Sequence, residues 1–256
     1  MRKAGFAILA GGEGARLNSD IPVEQRVPKP WFPVGGIPMC ELVIQQASRF
    51  GPEEILMICD EKQSHRLTGE YTQLRILPRT GGYLSDLFAL IAESSADLLF
   101  VINADAITVS AESMSRVIVA ARQNPGRGLI LPAVPVTDCY PQVDKPRLIL
   151  GDRSLSRSGI CVIRPELIHP NEQLLKRMKG CPALSELYLL GLWGVLGYVA
   201  QTLTVEYTLR RLNHALGCNS GIVVMDDPCL CHDVDRVGDL EFAMTVLREQ
   251  GRLRKE

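Results

Sequence analysis

The chain has no dominant charge: 28 lysines and arginines stand against 29 aspartates and glutamates, a formal net charge of −1. No overall basic field therefore advertises nucleic acid as a partner. There is no block of like charge beyond the short tail Arg252, Arg254 and Lys255, which reads as a solvated helix end. Internal repeats, low-complexity stretches and linkers are also missing. Arg2 and Lys3 lead into a strand and a glycine turn, not into an apolar run with a cleavage site. Without an export signal, the eight cysteines are expected to be free thiols in a reducing compartment, which makes the protein cytoplasmic. Cys229-Leu230-Cys231-His232 is the only cluster that suggests zinc, and it lacks a second pair at a usable spacing. Two common glycine loops are absent as well. No Gly-Lys-Ser/Thr closes a Walker loop, and no G-x-G-x-x-G opens directly into a long helix.

What is present fits one large α/β domain, since 256 residues can bury a full core. Apolar runs predict strands at 6–10, 54–59, 74–77, 98–103, 128–134, 160–163 and 220–225. Helical periodicity predicts helices at about 38–50, 84–94, 111–123, 165–178, 184–202, 205–216 and 236–250. This alternation implies a mostly parallel sheet with helices on both faces. Gly217 sits where a left-handed helix cap belongs. One domain over 1–256 is expected, with a nucleotide part at about 1–125, an acceptor part at about 126–220 and a C-terminal metal motif and helix at 221–256.

The most informative stretch follows the first strand. Phe6 to Ala10 is apolar and stops at Gly11, Gly12 and Gly14, three glycines within four positions. Glycine lets the backbone approach an oxygen-rich ligand, and successive N–H groups in such a turn form an anion-binding concavity. Arg16 and Lys29 add two cations near the same strand end. A polyphosphate matches those parts; an ordinary tight turn with surface cations is the alternative.

Leu9-Ala10-Gly11-Gly12-x-Gly14-x-Arg16-Leu17, joined to Pro28-Lys29-Pro30-x-x-Pro33-Val34-x-Gly36-x-Pro38-Met39, resembles the opening of the nucleotidyltransferase superfamily. That group includes molybdenum cofactor guanylyltransferase, sugar-1-phosphate nucleotidylyltransferases and the cytidylyltransferases of isoprenoid synthesis. The resemblance implies a three-layer α/β/α sandwich with a mostly parallel mixed sheet, the nucleotide-diphospho-sugar transferase (glycosyltransferase-A-like) fold. It also implies a Mg²⁺-dependent transfer of a nucleoside monophosphate from a triphosphate, GTP or CTP, to a small phosphorylated acceptor, with release of pyrophosphate. Arg16 and Lys29 would be the catalytic cations. Leu9, Ala10, Gly11, Gly12, Gly14, Gly82 and Asp86 would bind the nucleotide.

For the metal, the apolar run Leu98 to Ile102 ends at Asn103-Ala104-Asp105, and the family has its first metal-binding aspartate at this strand end. Magnesium favours one or two carboxylates completed by phosphate oxygens and water. Cys231-His232-Asp233-Val234-Asp235 resembles the family's late Asp-x-Asp motif. Alternation puts Asp233 and Asp235 on one side of an extended segment. One can face the metal while the other caps the following helix, and Asp233 is favoured for the metal.

Other segments leave alternatives open. Thr80 to Leu87 resembles a family segment that carries an amide where this chain has Asp86, so Asp86 either accepts from a guanine or cytosine amine or caps a helix. Arg147 and Arg157 either bind an acceptor phosphate or face solvent, and solvent is favoured. The uncharged segment from Leu187 to Val205 approaches the roughly 20 residues of a membrane span. Its three glycines favour a buried helix, with a dimer surface or a peripheral membrane contact as alternatives. Cobinamide, molybdopterin, phospholactate, polyol phosphate and sugar phosphate are all compatible acceptors. A glycosyltransferase using a nucleotide sugar and a non-catalytic nucleotide-binding module are the competing functions.

Overall fold

A computed structural model describes residues 3–12, 15–19, 21–138, 147–171, 173–174, 176 and 185–253. Its strands in chain order are β1 (Ala4–Leu9), β2 (Pro33–Val34), β3 (Ile37–Pro38), β4 (Glu54–Cys59), β5 (Leu74–Pro78), β6 (Leu98–Asn103), β7 (Leu129–Pro135), β8 (Arg147–Leu150), β9 (Arg153–Arg157), β10 (Ile160–Ile163) and β11 (Ser220–Val224). The helices are α1 (Ala15–Ser19), α2 (Met39–Phe50), α3 (Tyr83–Glu93), α4 (Ala111–Arg122), α5 (Ser185–Val199), α6 (Val205–Leu216) and α7 (Val237–Glu249).

The main sheet is mixed. β5, β4, β1 and β6 lie side by side and pair in parallel. β10 then enters antiparallel between β6 and the start of β7. The end of β7 pairs instead with β9, which forms a hairpin with β8, while β11 runs parallel along the opposite edge of β7. The chain between β9 and β10 therefore crosses a gap in the sheet at Ser158 and Gly159.

Alternation in β1 builds the two outer layers, because successive side chains of a strand point to opposite faces. Phe6 and Ile8 join the cluster that includes Ile44 of α2, Val117 of α4 and Leu247 of α7. Ala7 and Leu9 join the cluster of Leu87 and Leu90 of α3 and Leu216 of α6. The result is the three-layer α/β/α sandwich. Local signals define its helix ends: Ser110 accepts from the backbone of Ser113 at 3.1 Å to start α4, and Thr204 from Tyr207 at 3.2 Å to start α6. Gly217 ends α6 with φ of 59°, and any Cβ there would collide with the His169 carbonyl.

Three expectations change. The helix expected at 165–178 does not begin there: Pro165–Leu167 is a single 3-10 turn and 168–171 is non-helical, because His169 and Asn171 donate their N–H groups to the end of α6. Most of 172–184 lies outside the described residues. Strands β8 and β9 were not signalled, since serines, arginines and a two-residue turn dilute their apolar alternation. The uncharged segment expected as a buried helix falls largely in α5, whose described side chains past Gly191 are mostly exposed. Gly191 breaks it with φ of 73°, and Leu192, Trp193 and Val199 beyond the break are 62%, 77% and 75% exposed. Among the described residues, no helix is long and apolar enough to cross a membrane.

Candidate active site

The carboxyl end of β1 is where the chain's charged residues gather. Lys29 lies in the 3-10 turn Lys29–Trp31, which Pro30 and Trp31 anchor in the core. Its ammonium forms ion pairs with both Asp105 and Asp235. A Cβ placed on Gly12 would lie 4.0 Å from Lys29 Cδ, so the glycine turn and the lysine adjoin. Asp105 sits in the turn after β6, which is tied to β1 by the Ala104 N–H donating to the Leu9 carbonyl at 3.1 Å.

The late acids reach this end of the sheet through the gap between β9 and β10. Ser158 donates through its hydroxyl to the Leu230 carbonyl at 2.6 Å, and Gly159 donates its N–H to the same oxygen at 3.3 Å. Val234 then donates to the Asp105 carbonyl at 3.2 Å. His232 and Val234 are buried, and this alternation leaves Asp233 and Asp235 on the site side, as the sequence implied. A Cβ on Gly159 would collide with the Asp233 carboxylate, so only glycine permits the approach. The helix-capping alternative for Asp235 is corrected. Asp239, inside the first turn of α7, accepts from the backbone N–H groups of Asp235 and Arg236 at 2.9 and 2.8 Å, which leaves the Asp235 carboxylate for Lys29.

Electrostatics mark the same point. Burial, and then the neighbouring Asp233 carboxylate, push the Asp105 carboxyl up to about 6, against the pull of Lys29. Burial works against the charge on Lys29, but Asp105 and Asp235 outweigh it and hold the ammonium above its ordinary value. Asp105 Oδ1 is buried with no hydrogen-bond donor among the described residues. A buried carboxylate oxygen left in that state costs free energy unless a cation or donor reaches it. Among the described residues no three His, Cys, Asp or Glu side chains form a metal cage. A pair of carboxylates completed by phosphate oxygens and water is a donor set that Mg²⁺ accepts.

A second cation meets the glycine turn from β5. A Cβ on Gly11 would come within 2.8 Å of Arg79 Nε, so the guanidinium lies against that glycine. Asp86, 2% exposed, accepts from the Thr80 N–H at 2.7 Å and its hydroxyl at 2.9 Å, and pairs with Arg79 at 3.4 Å. Of the two roles left open for Asp86, base reader or helix cap, the contacts here are those of a loop brace: its carboxylate is turned toward Thr80 and Arg79. Gly82 stands at the start of α3, at the mouth of a cavity of about 650 Å³ between the sheet, α3 and α6. Tyr83 shares that mouth. The residue is 58% exposed, while burial, then Cys161, Asp233 and Asp105, raise the phenol above its ordinary value, with Arg157 opposing.

Lys29, Asp105, Asp233, Asp235, Leu9, Ala10, Gly11 and Gly12 are therefore brought together, and Gly82 lies beside them. Gly14 and the Arg16 side chain lie outside the described residues. Arg157 is exposed, as favoured for it, and it also borders the cavity. Arg79, Tyr83 and Gly159 were missed. Gly159 carried a signal, a glycine directly before a strand. Arg79 and Tyr83 carried none, because only β5 and α3 bring them to β1.

Comparison with known proteins agrees with this fold. The profile of the MobA-like NTP transferase domain matches residues 6–157. A hypothetical transferase of Thermus thermophilus superposes with a TM-score of 0.70 at 22% identity, covering 94% of this chain and all of that one (100%). CMP:2-keto-3-deoxy-manno-octonic acid synthetase, solved with CTP, gives 0.60 at 13% identity over 97% and 99% of the two chains. The 4-diphosphocytidyl-2C-methyl-D-erythritol synthase of Anaerococcus prevotii gives 0.58 at 13% over 96% and 99%. A search of curated protein sequences returned no significant match. With its family profile spanning residues 6–157, over half its length, the chain belongs to the MobA-like NTP transferase domain family and is a member of the nucleotidyltransferase superfamily.

Proposed function

We propose that the protein transfers a nucleoside monophosphate from a nucleoside triphosphate to the phosphate of a small acceptor. An acceptor oxygen bonds to the α-phosphorus, the bridge to the β-phosphate breaks, and pyrophosphate leaves with that electron pair. An ionised phosphate nucleophile needs no general base, so positioning and charge stabilisation carry the rate. The observation behind this reading is the convergence of Gly12, Lys29, Asp105, Asp233 and Asp235 at one end of the sheet.

The backbone of Gly11 and Gly12 would cradle the β- and γ-phosphates, with Arg16 and Arg79 as flanking cations. Lys29, oriented by Asp235, would stabilise the charge that builds on the α-phosphate. Asp105 and Asp233 would hold Mg²⁺, which when bound neutralises phosphate oxygens and orients the leaving group. Base selection would fall to Ala10 and the backbone near Gly82, with GTP and CTP the leading triphosphates.

The test is a thermal-shift screen of the four triphosphates with and without Mg²⁺, followed by a pyrophosphate-release assay with phosphorylated acceptors. A preferred triphosphate should raise the melting temperature by mass action, and chelation of divalent cations should abolish turnover. Stabilisation by no triphosphate, or by nucleotide sugars instead, sinks the reading.

A further inference from the structure

The cavity beside the site has the wrong lining for a nucleotide. Its wall is hydrocarbon, with Leu87 and Phe88 of α3, Leu131 of β7, Ile163 of β10 and Leu212 of α6 among its residues. Its polar residues include Asn103, Arg157 and Ser158, which belong to the strand ends and the sheet gap beside Asp233. Gly11, Gly12, Lys29 and Asp105 do not line it, and Gly82 does so only at the start of α3, so a triphosphate on the glycine turn would leave its interior empty. A base pushed into it would lose water from its edge groups without gaining partners.

Nor is it a packing fault. Protein interiors pack at crystal density with few voids larger than a water, whereas about 650 Å³ falls within the range of pockets for small organic ligands. Leu131 and Leu212 are only half-buried because they face this space. The Cys161 thiol, on the same wall, is pushed up to about 12 by burial, which makes it a neutral, apolar lining group.

We propose that the cavity holds the aliphatic portion of the acceptor, which is an amphiphilic phosphomonoester. Its phosphate lies at the mouth, where Arg157 and Ser158 face the neighbourhood of Asp233, and its hydrocarbon runs inward between α3 and α6. This assignment rests on the transferase reading, because only then does a phosphate at the mouth lie next to an activated α-phosphorus. It narrows the acceptors: polyol and sugar phosphates would leave the apolar wall dry and unfilled.

The test is calorimetric binding of ethyl, butyl, octyl and dodecyl phosphate, each below its micelle concentration, to the full chain with Mg²⁺ and a non-hydrolysable triphosphate. Affinity should climb by about fourfold per methylene until the cavity is full and then level off. Leu131→Trp, and separately Leu212→Trp, should flatten that climb by filling the space; two sites are used because either variant alone could misfold. No chain-length dependence while the triphosphate still binds overturns the proposal and leaves the transferase reading intact. A dependence that survives both folded variants overturns it too, since the tail then lies elsewhere, for example on the exposed face of α5. Failure of every triphosphate to bind sinks the transferase reading and, with it, this acceptor assignment.

Discussion

On the α2 and α4 side of the sheet, Phe6, Ile8, Ile44, Ile55 and Met57 are wholly buried. On the α3 and α6 side, β6, β7 and β10 present Val101, Leu129 and Ile163 to a cavity of about 650 Å³. Strands that alternate side chains would ordinarily fill both faces alike. The difference arises beyond β6, where antiparallel β10 and the split between β9 and β10 replace the regular parallel repeat. The charged cluster sits on the rim where the two regimes meet. One face supplies rigidity to the aspartates and Lys29, and the other supplies room for an acceptor.

Several substitutions would break or sharpen that contrast. The largest effect is expected from Phe100→Ala on the filled face. Its ring lies 5.0 Å from Phe6, and its loss should cost about 4 kcal/mol of unfolding free energy in urea titration. Leu212→Ala on the hollow face should cost about 1 kcal/mol, because the side chain is already half-solvated; equal losses would mean the hollow closes in solution. At the rim, Lys29→Ala should lower kcat about a hundredfold with KM for the triphosphate little changed. An unaltered kcat would remove the lysine from the chemistry. Gly159→Ala should lower turnover about tenfold while leaving circular dichroism intact, since the added methyl displaces the Asp233 carboxylate. Trp193→Ser, on the exposed helix, should change stability by less than about 0.5 kcal/mol. A larger loss would reveal a partner surface there.

Much of this layout was readable beforehand for local reasons. The apolar runs of β1, β4 and β6 and the amphipathic α2 and α4 appear within a residue or two of expectation, because burial pattern and helix caps are written in neighbouring residues. The glycine turn and Asp105 stood out because each ends an apolar run, and Lys29, Asp233 and Asp235 because they sit in motifs that resemble the family's. Arg79 and Tyr83 did not, since their approach to Gly11 and Asp233 depends on which strand and helix lie beside β1. Asp86 was left between reading a base and capping a helix, and its carboxylate is turned into the loop that presents Arg79.

By itself the chain's order of residues specified a nucleotidyltransferase-like α/β sandwich, a glycine turn after its first strand and the acidic and basic groups around it. Tertiary structure alone decided that Lys29 is held between Asp105 and Asp235, that Gly159 makes room for Asp233, and that a hollow apolar chamber lies alongside. The physical reason is range. Periodicity and turn chemistry act over a few residues, whereas an ion pair spanning 206 positions from Lys29 to Asp235, or a void between two layers, exists only after the sheet has chosen its strand order.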